Sequence, residues 1–124
     1  MTRTRLEILQ WFALFGGPLA WATHHVVGYG LSEARCDVAG SQWHLDAVTW
    51  QIVLAALVGA VVLLAEAAAL VVFRATRDVD GNAPGPEGRL HFFAEAALVG
   101  NVLFLVIVVL DVVGTTYYLP CGPS

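Results

Sequence analysis

Hydrophobic residues in this chain gather into three long blocks, and short polar stretches separate them. Each block has at most two charged residues, and the blocks run over about 8–32, 47–73 and 90–113. A helix needs about 20 apolar residues to cross the roughly 30 Å hydrocarbon core of a bilayer, so each block is long enough. The pattern predicts an all-α integral membrane protein, in which residues 1–124 form one membrane domain with three transmembrane helices.

The first block also imitates a cleavable signal peptide. Arg3 and Arg5 precede its apolar run, and the segment Ala20-Trp21-Ala22 resembles a cleavage site. The apolar stretch continues well past this segment, to Ser32. We therefore expect the block to stay in the protein as the first transmembrane helix.

Arginine positions predict the direction of the three helices. Only Arg35 lies in the loop 33–46, whereas the other five arginines lie at the N-terminus and in the loop 74–89: Arg3, Arg5, Arg74, Arg77 and Arg89. Because arginine-rich segments near membrane spans stay in the cytoplasm, the N-terminus and the loop 74–89 are expected inside. The loop 33–46 and the tail 114–124 are then expected outside.

Composition supports a membrane environment and excludes some functions. Hydrophobic residues make up 58% of the chain and charged residues 13%, against roughly 25% charged in an ordinary soluble domain. A net charge of -4 provides no basic surface for nucleic acid. Three helices leave little interior for a substrate, so we do not expect a stand-alone enzyme. The expected partners are the lipid bilayer and other membrane subunits.

The two cysteines are expected in the same compartment. Cys36 follows the first block and Cys121 lies in the C-terminal tail, so the predicted topology places both outside. A disulfide between them would then tie the tail to the first loop in an oxidising environment. An outer metal site that also uses His44 is the alternative, although no C-x-x-C or H-x-x-x-H spacing supports it.

Glu66 and Glu95 are the costliest residues in the predicted helices, because a carboxylate in hydrocarbon must be paired, neutralised or turned toward a polar cavity. They lie eight residues before Arg74 and six after Arg89, so both are expected roughly 9 to 12 Å deep at a shared level. His91 lies one turn before Glu95, and Asn101 is a further polar residue in this helix. These four residues are candidates for hydrogen bonds between helices or for a proton relay. The complete ligand pattern of a di-metal carboxylate site is absent.

His24 and His25 are candidate cofactor or partner contacts in the first helix. Adjacent helical positions point about 100° apart, so at most one of them could be an axial haem ligand. The remaining histidines, His44 and His91, are expected at other depths. We therefore expect no cofactor to be bound by this chain alone, with haem or a metal as the alternative. One histidine is expected to pack inward and the other to meet a neighbouring protein.

Small residues predict where helices approach closely. Ala55 and Gly59 repeat at a four-residue spacing, as do Ala65 and Ala69, which is typical of tightly packed transmembrane helices. In the first block, the segment Gly16-Gly17-Pro18 predicts a kink or a partly unwound turn, because proline lacks a backbone N–H.

The segment from Phe15 to His25 reads FGGPLAWATHH and is followed by Gly28-Tyr29 and Cys36. This stretch resembles the first helix of small bacterial membrane proteins that are encoded near haem-copper terminal oxidases. The resemblance covers roughly the first 36 residues and carries over no catalytic residue. It implies a multi-pass protein of the bacterial inner (cytoplasmic) membrane with an accessory role beside a respiratory complex.

Three functions are therefore expected as alternatives. The first is an accessory, structural subunit of a larger membrane complex. The second is a proton- or ion-conducting homo-oligomer in which Glu66, Glu95, Asn101 and His91 line a path between copies. The third is an electron-transfer subunit that binds haem, quinone or a metal through His24 or His25.

Overall fold

The computed structural model of the protein describes residues 2–36, 47–79, 82 and 84–117. This part of the chain contains three α-helices and no β-strand, which confirms the all-α class. The helices are α1 (Arg3–Cys36), α2 (Ala47–Ala75) and α3 (Pro86–Tyr117). Each helix contains one of the predicted blocks and extends beyond it at one end or both.

The three helices contact one another and alternate in direction. Gln51, near the start of α2, contacts Gly28, near the end of α1. Thr76, just after α2, contacts His91, near the start of α3. It follows that α1 and α3 run parallel and α2 runs antiparallel to them. We call the end where α1 begins the proximal end and the opposite end the distal end.

Two of the helices are long and apolar enough to cross a membrane, over Thr49–Ala75 and Pro86–Gly114. The first helix, α1, is longer than either but is not among them, because it carries more polar residues. Within the chain, only 33% of the apolar window of α2 and 17% of that of α3 are buried. These two helices therefore differ from the core helices of a soluble protein, which are mostly buried.

Burial in the bundle runs opposite to the pattern of a water-soluble protein. Large apolar side chains of α2 and α3 are exposed, among them Leu57, Leu63, Leu64, Val99, Leu103, Val106, Val109 and Leu110. Polar side chains are buried between the helices, namely Gln10, His24, Gln51, Thr76, His91 and Asn101. This distribution suits an apolar solvent around the bundle and hydrogen-bond partners inside it.

Small side chains bring the helices close together. Ala13, Ala65 and Ala69 are completely buried, and Ala13 and Ala69 share a cluster with Ala68 and Ala97. The predicted close approach at Ala65 and Ala69 is thus present. A second cluster, toward the distal end, contains larger residues: Ala55, Val58, Val62 and Val108.

The segment Gly16-Gly17-Pro18 does not form the partly unwound turn that was one of the two predicted alternatives, and the other, a kink, stays a prediction. Helix α1 continues through Pro18 without interruption. The glycines serve packing instead. A Cβ atom at Gly16 would lie 3.2 Å from Ala65 Cβ, and one at Gly17 would clash with Asn101 Oδ1. The absence of side chains lets α2 and α3 approach the backbone of α1.

The connection between α2 and α3 is shorter than the sequence predicts. The loop was expected over 74–89, but α2 continues to Ala75 and α3 begins at Pro86. Proline suits a first helical position because its φ is already helical and no N–H partner is needed there. Gly85 precedes it with φ of 97°, a left-handed conformation that favours glycine.

Replacing Gly17 by alanine should lower the free energy of unfolding by about 1–3 kcal/mol, because the new Cβ displaces an Asn101 side chain held by hydrogen bonds. The matched control is Gly59→Ala in α2, where a Cβ meets nothing within 4 Å. Unfolding in detergent, followed by circular dichroism, gives the comparison. Equal stability of the two variants would contradict this packing role.

Candidate functional site: polar contacts between the helices

Asn101 joins all three helices at the middle of the bundle. Its Nδ2 donates a hydrogen bond to the backbone oxygen of Ala13 in α1, at 2.9 Å. Its side chain also interacts with that of Glu66 in α2. Because Asn101 is only 2% exposed, these contacts form away from any solvent. We call this set of residues the middle level.

Two acceptors near the middle of the bundle lack hydrogen-bond partners among the described residues. They are Oε2 of Glu66 and Oε1 of Gln10, and both atoms are buried. An unpaired buried acceptor costs free energy, so such groups suit a bound water or a proton on the carboxyl group. The middle level therefore has unused hydrogen-bonding capacity inside the bundle.

The distal level repeats the contact between an amide side chain and a glycine of α1. Gln51 Nε2 donates to the backbone oxygen of Gly28 at 2.7 Å. A Cβ at Gly28 would lie only 3.1 Å from Gln51 Oε1. Gly17 and Gly28 are three helical turns apart and lie on one face of α1. Helix α1 is thus held to its neighbours at two depths by the same kind of contact.

His24 faces Asp111 at the distal level. Nδ1 of His24 lies 3.6 Å from Oδ2 of Asp111, and the histidine side chain is almost completely buried. This distance is too long for a hydrogen bond, and Nδ1 has no hydrogen-bond partner among the described residues. The adjacent His25 is exposed and stacks on Trp21, with ring centroids 5.6 Å apart. One histidine points inward and the other outward.

The proximal level closes the turn between α2 and α3. Thr76 Oγ1 donates to the backbone oxygen of Val72 at 2.8 Å and lies 3.1 Å from His91 Nδ1. The imidazole stacks on Phe73, and its Nε2 lies 3.3 Å from Glu95 Oε1. His91 is thereby fixed between the end of α2 and the first turns of α3.

Charged residues at the proximal end lie on the surface. Glu7 is 3.3 Å from Arg3 Nε and 3.9 Å from Arg89 Nη2, so one carboxylate lies between two guanidinium groups. Exposed ion pairs of this kind contribute at most about 1 kcal/mol to stability. These ion pairs lie at the end of the bundle where most of the arginines are found.

Apolar clusters separate the three polar levels. Between the middle and proximal levels lie Val72 and Ala94 together with the alanine cluster around Ala69. Between the middle and distal levels lies the cluster of Val58, Val62 and Val108, against which Trp21 and Phe104 pack. Among the described residues, apolar side chains thus lie between the polar contacts of the three levels.

The structure brings some of the predicted site residues together and separates others. Glu66 contacts Asn101, and His91 contacts Glu95. Glu66 and Glu95 have different partners, and the Glu95 side chain is 56% exposed, although it was expected among the buried polar groups. The disulfide predicted between Cys36 and Cys121 stays a prediction, because Cys121 and the Cys36 side chain lie outside the described residues.

Sequence reasoning missed three groups of the site. Thr76 lies just after α2, where polar residues usually face solvent, and Gln10 is a single polar residue in the first apolar block, so neither was singled out. Asp111 lies inside the third apolar block, and a carboxylate between Leu110 and Val112 was itself a signal of a buried or paired group.

Between α1 and α2 lies an apolar groove of about 530 Å³, lined by residues that include Phe12, Phe15, Leu19, Thr23 and Leu57. The Thr23 hydroxyl already donates to the backbone oxygen of Leu19. No group of three or more histidine, cysteine, aspartate or glutamate side chains in the described part could hold a metal ion.

Comparisons of the chain with protein-family models, with curated proteins and with solved structures found no match. Its function is therefore argued from its own residues and geometry.

The contact between Glu66 and Asn101 can be measured with a double-mutant cycle. If the two side chains share a hydrogen bond, Glu66→Leu and Asn101→Leu should be non-additive by about 0.5–1.5 kcal/mol in the free energy of unfolding. The control cycle combines Asn101→Leu with Glu95→Leu, whose carboxylate contacts His91 instead, and should be additive. Additivity in both cycles would contradict the middle-level contact.

Proposed function

We propose that this chain is an accessory transmembrane subunit of a larger membrane complex and not an enzyme by itself. It crosses the membrane three times, with α1 as the third span beside the two more apolar helices. The inverted burial supports this membrane assignment, since apolar residues cover α2 and α3 while polar residues join the helices internally. The polar contacts between the helices hold the bundle together.

The observation that carries this proposal is the exposure of Glu95. Its side chain is 56% exposed and lies on α3 next to Phe92 and Val99, which are also exposed and apolar. A carboxylate on such a surface is costly in lipid, and among the described residues it contacts His91 through one oxygen. A neighbouring subunit that contacts Glu95 would remove this cost.

The arginine distribution supports a cytoplasmic N-terminus and an outer C-terminus. Arg3 and Arg5 begin α1, Arg74 ends α2, Arg77 follows in the turn, and Arg89 lies in the first turn of α3. All five therefore lie at the proximal end, which the positive-inside rule assigns to the cytoplasm. The resemblance of the first helix makes the bacterial inner membrane the expected location and a haem-copper terminal oxidase the first complex to test.

A tagged chain purified from native membranes in mild detergent should carry unlike transmembrane subunits at a fixed ratio. Replacing Glu95 by alanine should reduce their recovery severalfold, whereas Glu87→Ala, an exposed acid in the first turn of the same helix, should not. Mass spectrometry identifies and quantifies the subunits. Recovery of the tagged chain alone, or only with copies of itself, would contradict the proposed function.

A proton-conducting homo-oligomer is the second candidate, and the unpartnered Oε2 of Glu66 favours it. Because apolar clusters interrupt the interior of one chain, such a path would need groups from several copies. In liposomes with an enclosed pH-sensitive dye, the purified chain is expected to leave proton flux at the level of empty vesicles. A flux that Glu66→Gln abolishes would favour conduction.

A further inference from the structure

We infer that the groove between the distal halves of α1 and α3 binds a transmembrane helix of an unlike subunit, which presents a basic side chain to Asp111. This inference rests on the proposed accessory role and specifies its docking surface. We call this surface the distal groove, and we define it by Trp21, His25 and Tyr29 on α1 together with Phe104 and Asp111 on α3.

Asp111 is the charged residue of the distal groove. Its side chain is 37% exposed and lies on α3 between Leu110 and Val112. Within the described residues its one ion-pair contact is with His24, at 3.6 Å, which is beyond hydrogen-bonding distance. A carboxylate can accept about four hydrogen bonds, so Asp111 retains most of its capacity for a donor from outside the chain.

The α1 side of the distal groove carries further polar groups. His25 and Tyr29 are both exposed and lie one helical turn apart on one face. His25 stacks on Trp21, and Trp21 contacts Phe104 of α3 with ring centroids 5.9 Å apart, so these groups belong to one surface. The buried Nε1 of Trp21 has no hydrogen-bond partner among the described residues.

Lipid chains do not suit this surface. Acyl chains offer no hydrogen bonds to a carboxylate, an imidazole or a phenol. In addition, α1 is less hydrophobic than α2 and α3. At the same depth, the exposed residues of α2 are Trp50, Ile52 and Val53, and those of α3 include Val109 and Leu110. A protein partner is therefore needed at the distal groove more than on the other faces.

A second copy of this chain does not supply the complementary charge. Symmetric copies of a membrane protein keep equivalent residues at equal depth. Five of the six arginines lie at the proximal end, and the chain has no lysine. Arg35 lies 11 residues beyond His24 along α1, about 16 Å farther toward the distal end. An unlike subunit is thus the source of the basic group.

The first test replaces Asp111 by asparagine, which keeps the shape of the side chain and removes its charge. Recovery of the partner subunit with the tagged, full-length chain should fall roughly tenfold. The matched control is His24→Gln, which alters the internal partner of Asp111 and should leave recovery within about twofold. Both variants should keep the unfolding midpoint of the isolated chain within a few degrees. An equal loss of recovery in the two variants would overturn the inference, because Asp111 would then act only through His24.

The second test places a photo-crosslinking amino acid at His25 or Tyr29, and at Leu64 or Leu103 on the apolar faces as controls. Irradiated membranes should give crosslinks from 25 and 29 to one transmembrane segment of an unlike subunit, with a basic residue within one turn of the crosslinked site. Crosslinks to that subunit only from 64 or 103 would overturn the inference and leave the accessory role intact. Crosslinks only to a second copy or to lipid would overturn both.

Discussion

The hydrogen bonds of Asn101 are the constraint on which the bundle depends. One side chain of α3 donates to the backbone of α1 and lies against Glu66 of α2, so it relates the depths of all three helices. Gly17 must lack a side chain for this contact to form. Gln51 and Gly28 repeat the arrangement near the distal end. Polar contacts of this kind are worth most where no water competes for them.

The same constraint explains the distribution of residues around the bundle. Once polar side chains are placed inside, many of the exposed residues of α2 and α3 are leucine, valine and isoleucine. Such a surface is stable in hydrocarbon and would aggregate in water. Two polar sites interrupt this apolar surface: Glu95 on α3 and the distal groove around Asp111. Another protein is expected to bind at these two sites. Together these features favour a subunit that is held in place by its neighbours.

The sequence predicted the helices better than it predicted their contacts. Block length and the scarcity of charge gave the three helices, because a helix that satisfies its own backbone is determined by local composition. Glu66 and Asn101 were both identified as costly polar residues, yet their pairing depends on the register between helices, which no local pattern encodes. The same limit explains why Glu95 was expected at the level of Glu66. Gly17 was interpreted as a break in α1 because its neighbour Asn101 is distant in sequence.

The central claim is that lipid surrounds the apolar faces of this bundle. Nitroxide labels on single cysteines, introduced after replacement of Cys36 and Cys121, test it directly in reconstituted bilayers. Labels at Leu57 and Leu103 should be relaxed strongly by oxygen and weakly by a water-soluble nickel chelate, with the opposite result at Arg77 in the exposed turn. Stronger relaxation by the nickel chelate than by oxygen at 57 and 103 would contradict the account.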